Sequence, residues 1–163
     1  MTYAVVDSPL GPLTLVGTEA GGLTGLYMDR QRYRPEQAGF GERDDSAFPS
    51  VAVQLDEYVH HGRTTFEVRL QLAGTPFQRE VWSALQDIPF GTTTTYGGLA
   101  ELLGLKPGSA RAVGLANGKN PVSIIVPCHR LVGSTGNLTG YGGGIERKRT
   151  LLDHERGEKL LTG

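Results

Sequence analysis

The chain of 163 residues contains one cysteine, one tryptophan and two methionines, and aromatic residues make up only 7% of it. A single cysteine excludes an internal disulfide and a cysteine-based zinc cluster, and it leaves any thiol chemistry to Cys128 alone. No apolar run approaches the ~20 residues that a bilayer-spanning helix needs. The opening residues, Met1-Thr2-Tyr3-Ala4-Val5-Val6-Asp7, lack the basic flank and apolar stretch of a secretory signal, so the expected compartment is the cytoplasm. There is no internal repeat and no low-complexity tract. The rest is ordinary for a globular chain: 38% hydrophobic and 20% charged residues argue against disorder. The length suits one medium domain or two small ones.

A net charge of −1 conceals an asymmetry. Residues 1–75 carry 6 Lys+Arg against 10 Asp+Glu, a balance of −4, whereas residues 76–163 carry 10 against 7, a balance of +3. A mildly basic second half is compatible with a phosphate-bearing partner. Random surface charge explains it equally well, and charge alone does not decide.

The first 28 residues read as β structure. Short apolar runs at 3–6, 13–16 and 23–28 are separated by the turn signals Ser8-Pro9-Leu10-Gly11-Pro12 and Gly21-Gly22. Residues 29–48 are polar and aperiodic, which predicts a surface loop. Residues 49–61 predict a helix with Val51, Leu55, Tyr58 and Val59 on one stripe, and residues 66–72 alternate with the period of a half-buried strand. Thr75-Pro76-Phe77-Gln78 has the form of a capping box with proline in the first turn; the helix it starts puts Phe77, Val81, Trp82 and Leu85 on one face. A domain boundary is expected near residue 74.

Beyond it the pattern is mostly helical. Residues 96–103 predict a short helix ending at Gly104, a left-handed cap, and Ser109 is placed to cap a second helix running to about residue 117. Two short helices joined by a tight turn have the outline of a helix-turn-helix, although many helical hairpins bind nothing. The second helix is slim: Ala110, Ala112, Gly114, Ala116 and Gly118 surround one long cation, Arg111. Such a helix suits close approach to a duplex, or simply close packing on a neighbour. Residues 122–126 predict a buried strand leading into Pro127-Cys128-His129-Arg130, residues 133–144 a tightly turned glycine-rich loop, and residues 145–156 a helix with Ile145, Leu151 and Leu152 inward. The expected fold class is α+β, with a small N-terminal α/β unit built on an antiparallel sheet (1–74) and a mainly helical C-terminal domain containing the helix-turn-helix (75–163).

A lone cysteine is most often a buried small hydrophobe. To act as a nucleophile it must be a thiolate, and a thiol with pKa near 8.5 is only about 3% ionised at neutral pH. His129 and Arg130 follow Cys128 directly, and Glu155 lies on the last helix; a Cys–His–Glu relay would activate the sulfur. Because sequence neighbours rarely face each other, the Cys128–His129 link is expected to pass through water.

The segment Pro127-Cys128-His129-Arg130, with Ile124-Ile125-Val126 and Asn120-Pro121-Val122 before it, closely resembles the active-site segment of O6-alkylguanine-DNA alkyltransferases. The resemblance runs from Thr75 to Glu155 through Phe77-Gln78-Arg79-Glu80-Val81-Trp82, Ile88-Pro89-Phe90-Gly91, Tyr96-Gly97-Gly98-Leu99-Ala100, Arg111-Ala112-Val113-Gly114, Leu138-Thr139-Gly140-Tyr141 and Glu146-Arg147-Lys148. In the first half, Asp7-Ser8-Pro9-Leu10-Gly11-Pro12-Leu13 resembles the start of bacterial members, and the resemblance implies a ribonuclease H-like domain there.

The resemblance also implies a function. Such proteins repair DNA by flipping O6-alkylguanine, and O4-alkylthymine, out of the duplex and moving the alkyl group irreversibly to their own cysteine. Flipping costs a few kcal/mol, because the target atom is inaccessible in the stack. By resemblance, Cys128 is the acceptor, His129 and Glu155 its activating pair, and Asn120 the brace beside it. Arg111 fills the gap left by the base, Tyr96 presses on the flanking phosphate, and Ala110, Ala112 and Gly114 line the minor-groove face. Tyr141, Ser134, Val132 and Gly142 form the base pocket. The partner is double-stranded DNA, entered from the minor groove by a protein expected to be monomeric, whose copies can cluster cooperatively on DNA. The chemistry requires no metal or cofactor. A thioether has no low-pKa leaving group and the chain offers no resolving thiol, so the protein acts once.

Three departures stand out. Gly142-Gly143-Gly144 replaces bulkier residues of some members, which predicts a roomier pocket lip and tolerance of alkyl groups larger than methyl. The turn 104–110 is slightly longer than in the shortest members. The chain also lacks the N-terminal cysteine cluster of the family's regulatory members. The rival readings are a lesion sensor without transfer activity, which the presence of Cys128 opposes, and a thiol hydrolase, for which no oxyanion site is visible.

Overall fold

In the computed structural model, which describes residues 1–18 and 22–157, the chain forms a small sheet unit followed by a helical unit. Strands β1 (Thr2–Val6), β2 (Leu13–Gly17) and β3 (Leu23–Met28) make an antiparallel meander. The proline-containing turn between β1 and β2 closes through the Gly11 amide, which donates to the Ser8 carbonyl. Of the second expected turn, Gly21 lies outside the described residues. The short β4 (Glu42–Arg43) pairs with β1 in parallel, so the sheet, ordered β3-β2-β1-β4, is not purely antiparallel. Residues 29–48 are therefore more structured than a plain loop, since they also hold a 3₁₀ turn, Gln37–Phe40.

The helices follow the apolar stripes. α1 (Pro49–His60) buries Val51, Leu55 and Tyr58. α2 (Pro76–Leu85) starts with the expected reciprocal capping box between Thr75 and Gln78 and buries Val81, Trp82 and Leu85. The Trp82 indole donates to the Ala116 carbonyl at 2.8 Å, tying α2 to α4 (Ala110–Gly118). α3 (Tyr96–Leu102) is capped by the Thr95 hydroxyl, and Gly104 adopts the left-handed conformation (φ 68°) that its turn requires. α3 and α4 pack as a helix-turn-helix. The last helix, α5 (Ile145–Arg156), ends at left-handed Gly157. One apolar core runs from Leu13, Leu15 and Leu26 of the sheet to Trp82, Val113 and Leu151 of the helices.

Four expectations are corrected. Residues 66–72 form no strand; an extended segment meets the sheet edge in a single bridge, Leu23 to Leu70, because its partner backbone groups are met only by Arg69 and Gln71. Residues 122–126 are not a strand either. After one bridge, Leu26 to Val122, the backbone turns through Ile124 at φ 72°, which the Asn120 amide stabilises by donating to the Val126 carbonyl at 2.8 Å and accepting from the Val122 amide at 3.0 Å. Ser109 precedes α4 without a side-chain cap, since its own backbone is already helical. Ile145 is 38% exposed, because the inward face of α5 carries Lys148, Leu151, Leu152 and Glu155 instead.

Candidate active site

Cys128 opens a single 3₁₀ turn, Cys128–Arg130, directly before β6 (Leu131–Val132), which pairs in parallel with β5 (Thr94–Thr95). That pairing sets the start of α3, and therefore Tyr96, beside the cysteine segment. Cys128, His129 and Arg130 are all buried. The Asn117 amide donates to the Cys128 carbonyl at 3.2 Å, and Asn120 braces the turn above it.

Positions 148, 152 and 155 share one face of α5, so a single helix delivers a cation to one side of the site and a carboxylate to the other, about two turns apart. Glu155 accepts from His129 Nε2 at 2.7 Å, from Arg130 Nε and Nη2 at 2.8 and 2.9 Å, from the Tyr58 hydroxyl at 2.7 Å and from the Gly91 amide at 3.2 Å. Burial alone would raise its pKa. The His129 and Arg130 bonds and charges outweigh that and hold the carboxyl well below the usual range.

An ionised Glu155 can only accept, so His129 Nε2 must carry the proton. Burial lowers the imidazole pKa despite the carboxylate, which keeps the ring neutral. Nδ1 is then a free base, and it is a buried nitrogen without a protein partner. Burial raises the Cys128 pKa, opposed by Asn120 and by the Lys148 charge. The site thus holds a buried thiol that burial keeps protonated and, on the next residue, a buried imidazole nitrogen without a protein partner.

Lys148 is itself buried, with its pKa lowered by burial to about 8. Its ammonium donates to the Leu131 and Thr139 carbonyls at 2.5 and 2.8 Å and lies 5.7 Å from the centre of the Tyr96 ring. The Tyr96 hydroxyl donates to the Thr139 carbonyl at 2.7 Å. These bonds clip the glycine-rich loop to α3.

A cavity of about 360 Å³ opens between α3, α4, the glycine-rich loop and residues 32–33; Cys128 and His129 are not on its walls. Tyr96, Ala110, Arg111, Gly114, Tyr141 and Gly142 are on its walls, joined by exposed Leu115. Tyr141 is buried with its hydroxyl unpartnered. Three expected residues are elsewhere: Ala112 is exposed off the cavity, Ser134 is exposed on the far loop, and Val132 is buried in β6. The triple glycine is only partly an open lip: Gly144 faces open space, but Gly142 and Gly143 are hemmed in. A side chain at Gly143 would strike Met28 and Tyr141 at 2.7 Å, and one at Gly142 would meet the Arg32 and Gly118 carbonyls at 3.4 Å. The glycines let the N-terminal unit dock closely, with the Arg32 amide donating to the Gly142 carbonyl at 2.7 Å.

Sequence reading missed Tyr58, Asn117, Lys148, and the role of Arg130 as a clamp. Tyr58 was visible as an apolar-stripe residue whose hydroxyl would need a partner if buried, and Lys148 as a cation in helical register with Leu152 and Glu155. Nothing in the spacing pointed to Asn117.

Comparison with known proteins sets this geometry in context. The family description "6-O-methylguanine DNA methyltransferase, DNA binding domain" matches residues 76–157, and "6-O-methylguanine DNA methyltransferase, ribonuclease-like domain" matches residues 1–72. A methylated-DNA–protein-cysteine methyltransferase of Mycolicibacterium paratuberculosis is 53% identical over 154 residues, 94% of this chain and 92% of the relative. That of Salmonella typhimurium is 44% identical over 160 residues, 92% of each. The crystal structure of Mycobacterium tuberculosis OGT in complex with DNA superposes with a TM-score of 0.92 at 49% identity, covering 99% of this chain and 96% of that one.

Proposed function

The chain belongs to the 6-O-methylguanine DNA methyltransferase family, and from that premise we propose how its residues divide the work of repair. The protein binds DNA and reverses damage directly, moving the alkyl group of O6-alkylguanine to its own cysteine in a single irreversible turnover. The observation that carries the assignment of roles is the free Nδ1 of His129, fixed as a base by the Glu155 carboxylate behind it.

In this scheme the Cys128 thiol passes its proton to His129 Nδ1, through a bridging water, as sulfur attacks the alkyl carbon. The carbon–oxygen bond breaks, the electron pair goes to O6, and Tyr141 favours protonation of the departing guanine with its unpartnered hydroxyl. Glu155 stabilises the imidazolium that forms, and Arg130 and Tyr58 keep Glu155 ionised and oriented. Tyr96 and Arg111 bracket the cavity mouth, which suits rotation of the nucleotide and filling of the gap it leaves. α4 carries Ala110 and Gly114 toward the duplex, a slim face fit for the minor groove. Ala112 extends that face outside the cavity, and Ser134 and Val132 would reach the base only if the glycine-rich loop closes over it. O4-alkylthymine, with an equivalent carbon–oxygen bond, is a second substrate.

The acceptor cysteine and the helix-turn-helix lie beyond the boundary near residue 74, with Tyr58 reaching Glu155 from the unit before it, and the place of action is where the cell keeps its DNA, for a bacterial-type member the cytoplasm. The test is peptide mapping after incubation with duplex containing O6-methylguanine. S-methylation of the Cys128 peptide supports the scheme. Tight binding with an unmodified thiol would make the protein a lesion sensor, and turnover of esters a thiol hydrolase.

A further inference from the structure

We propose that residues 30–34 of the N-terminal unit form a second contact with the DNA backbone, on the part of the base cavity's wall beside Gly142 and the end of α4, with Arg32 as the phosphate-binding side chain. The proposal rests on the repair function described above and extends its DNA footprint to a part of the chain outside the helix-turn-helix.

The run Arg30-Gln31-Arg32-Tyr33-Arg34 places three of the six cations of residues 1–75 in five positions of an otherwise acidic half. Arg34 is used internally, donating to the Thr14 hydroxyl at 3.1 Å and lying over the Phe40 ring. Arg32 and Tyr33 instead line the cavity that Arg111 and Tyr141 also line. Both are exposed, Tyr33 at 48%.

The segment is anchored rather than loose. The buried Gln31 side chain accepts from the Met28 amide at 2.8 Å, the Arg32 amide donates to Gly142, and the Arg147 guanidinium donates to the Asp29 carbonyl. The Tyr33 ring carries a cation near each face or edge, the Arg32 guanidinium at 4.9 Å and the Lys119 ammonium at 5.5 Å from its centre. Two like charges are thereby gathered at one rim. Among the described residues no carboxylate pairs with Arg32, Lys119 or Arg111.

A base in this cavity leaves its sugar and flanking phosphates at the rim, because the polymer backbone cannot follow it inside. Cations along the cavity wall and rim, unpaired with carboxylates among the described residues, then match the charge that arrives. Arg32 suits phosphate through its planar donor fork, and each phosphate neutralised releases counterions, which makes the contact measurable by its salt dependence.

The experiment measures binding of a duplex containing O6-methylguanine across a salt series for the wild type, Arg32→Ala, Arg32→Lys and Arg63→Ala, with melting temperatures for each variant. Arg63 is already paired with Glu57 at 3.3 Å and lines no part of the cavity, so its variant controls for loss of charge alone. Arg32→Ala should weaken binding about 5- to 10-fold at low salt and reduce the log–log salt slope by roughly one unit. Arg32→Lys should keep the wild-type slope, and Arg63→Ala should match the wild type in both. An Arg32→Ala protein with wild-type affinity and slope overturns the proposal, and so does weakened binding with an unchanged slope, which would mean that Arg32 acts by packing on Tyr33. Failure of the wild type itself to bind or repair the duplex would instead overturn the repair function on which the proposal stands.

Discussion

Glu155 and the cavity rim treat charge in opposite ways. The carboxylate is buried and receives five hydrogen bonds, from His129, Arg130 twice, Tyr58 and Gly91, so its partners are in place before any substrate arrives. At the rim, Arg111, Arg32 and Lys119 stand in solvent without carboxylate partners among the described residues. The chemical apparatus is preorganised, which avoids reorganisation during the reaction, whereas the recognition surface leaves its cations for an anionic partner. Mutations in the first region should therefore damage chemistry and stability together, and those in the second should damage only the encounter with DNA.

The sharpest way to test that division is Cys128→Ser, which should abolish transfer while DNA affinity stays near wild type, measured by lesion repair and by binding in parallel. Next, Glu155→Gln should slow transfer about 100-fold or more and lower stability by about 3–5 kcal/mol, because it leaves Arg130 buried without its counter-charge; denaturant melts and single-turnover rates report both. If stability fell without the rate, Glu155 would be structural alone. Arg111→Ala should slow repair of duplex about 10-fold or more but affect reaction with free O6-benzylguanine less, since only duplex must be opened. Equal losses would place Arg111 in the chemistry and dissolve the contrast. The smallest effect is expected for Tyr58→Phe, about 1–2 kcal/mol of stability from one buried hydrogen bond to a charge.

The contrast also has a pH signature. His129 has a folded-state pKa below its ordinary 6.5, so the unfolded chain takes up protons first and stability falls as pH drops through that value. The Glu155 pKa is depressed below 4.5; its stabilisation is full above that value and is lost as pH falls further. The wild-type melting temperature should therefore begin to fall near pH 6.5 and steepen below about pH 4.5. Glu155→Gln should remove the lower part of that fall.

Most of the helical frame was legible in the sequence, because capping and stripes are local. Thr75 with Gln78, Gly104 and the bounds of α5 follow from short-range chemistry. The two strands expected at 66–72 and 122–126 failed for one reason: alternation and apolarity describe burial, but a strand also needs a neighbour whose hydrogen bonds it can meet along its length. Each segment meets only one bridge. In the site, His129 and Glu155 were readable as a pair, and the structure brings them to 2.7 Å. Tyr58 lies 97 positions from Glu155, and only tertiary packing joins them. The triple glycine was readable as a place without side chains. That Gly142 and Gly143 are met by the Arg32 and Gly118 carbonyls, Met28 and Tyr141, while Gly144 faces open space, depends on how the two halves dock, which the residue types alone do not reveal.

The claim that Cys128 is built to be capped once is tested most directly by titrating the protein with duplex containing O6-methylguanine and following intact mass and residual lesion together. The account predicts a gain of one methyl per chain, located on Cys128, with repair ceasing when the last thiol is consumed. Continued repair by protein whose mass is unchanged would contradict it.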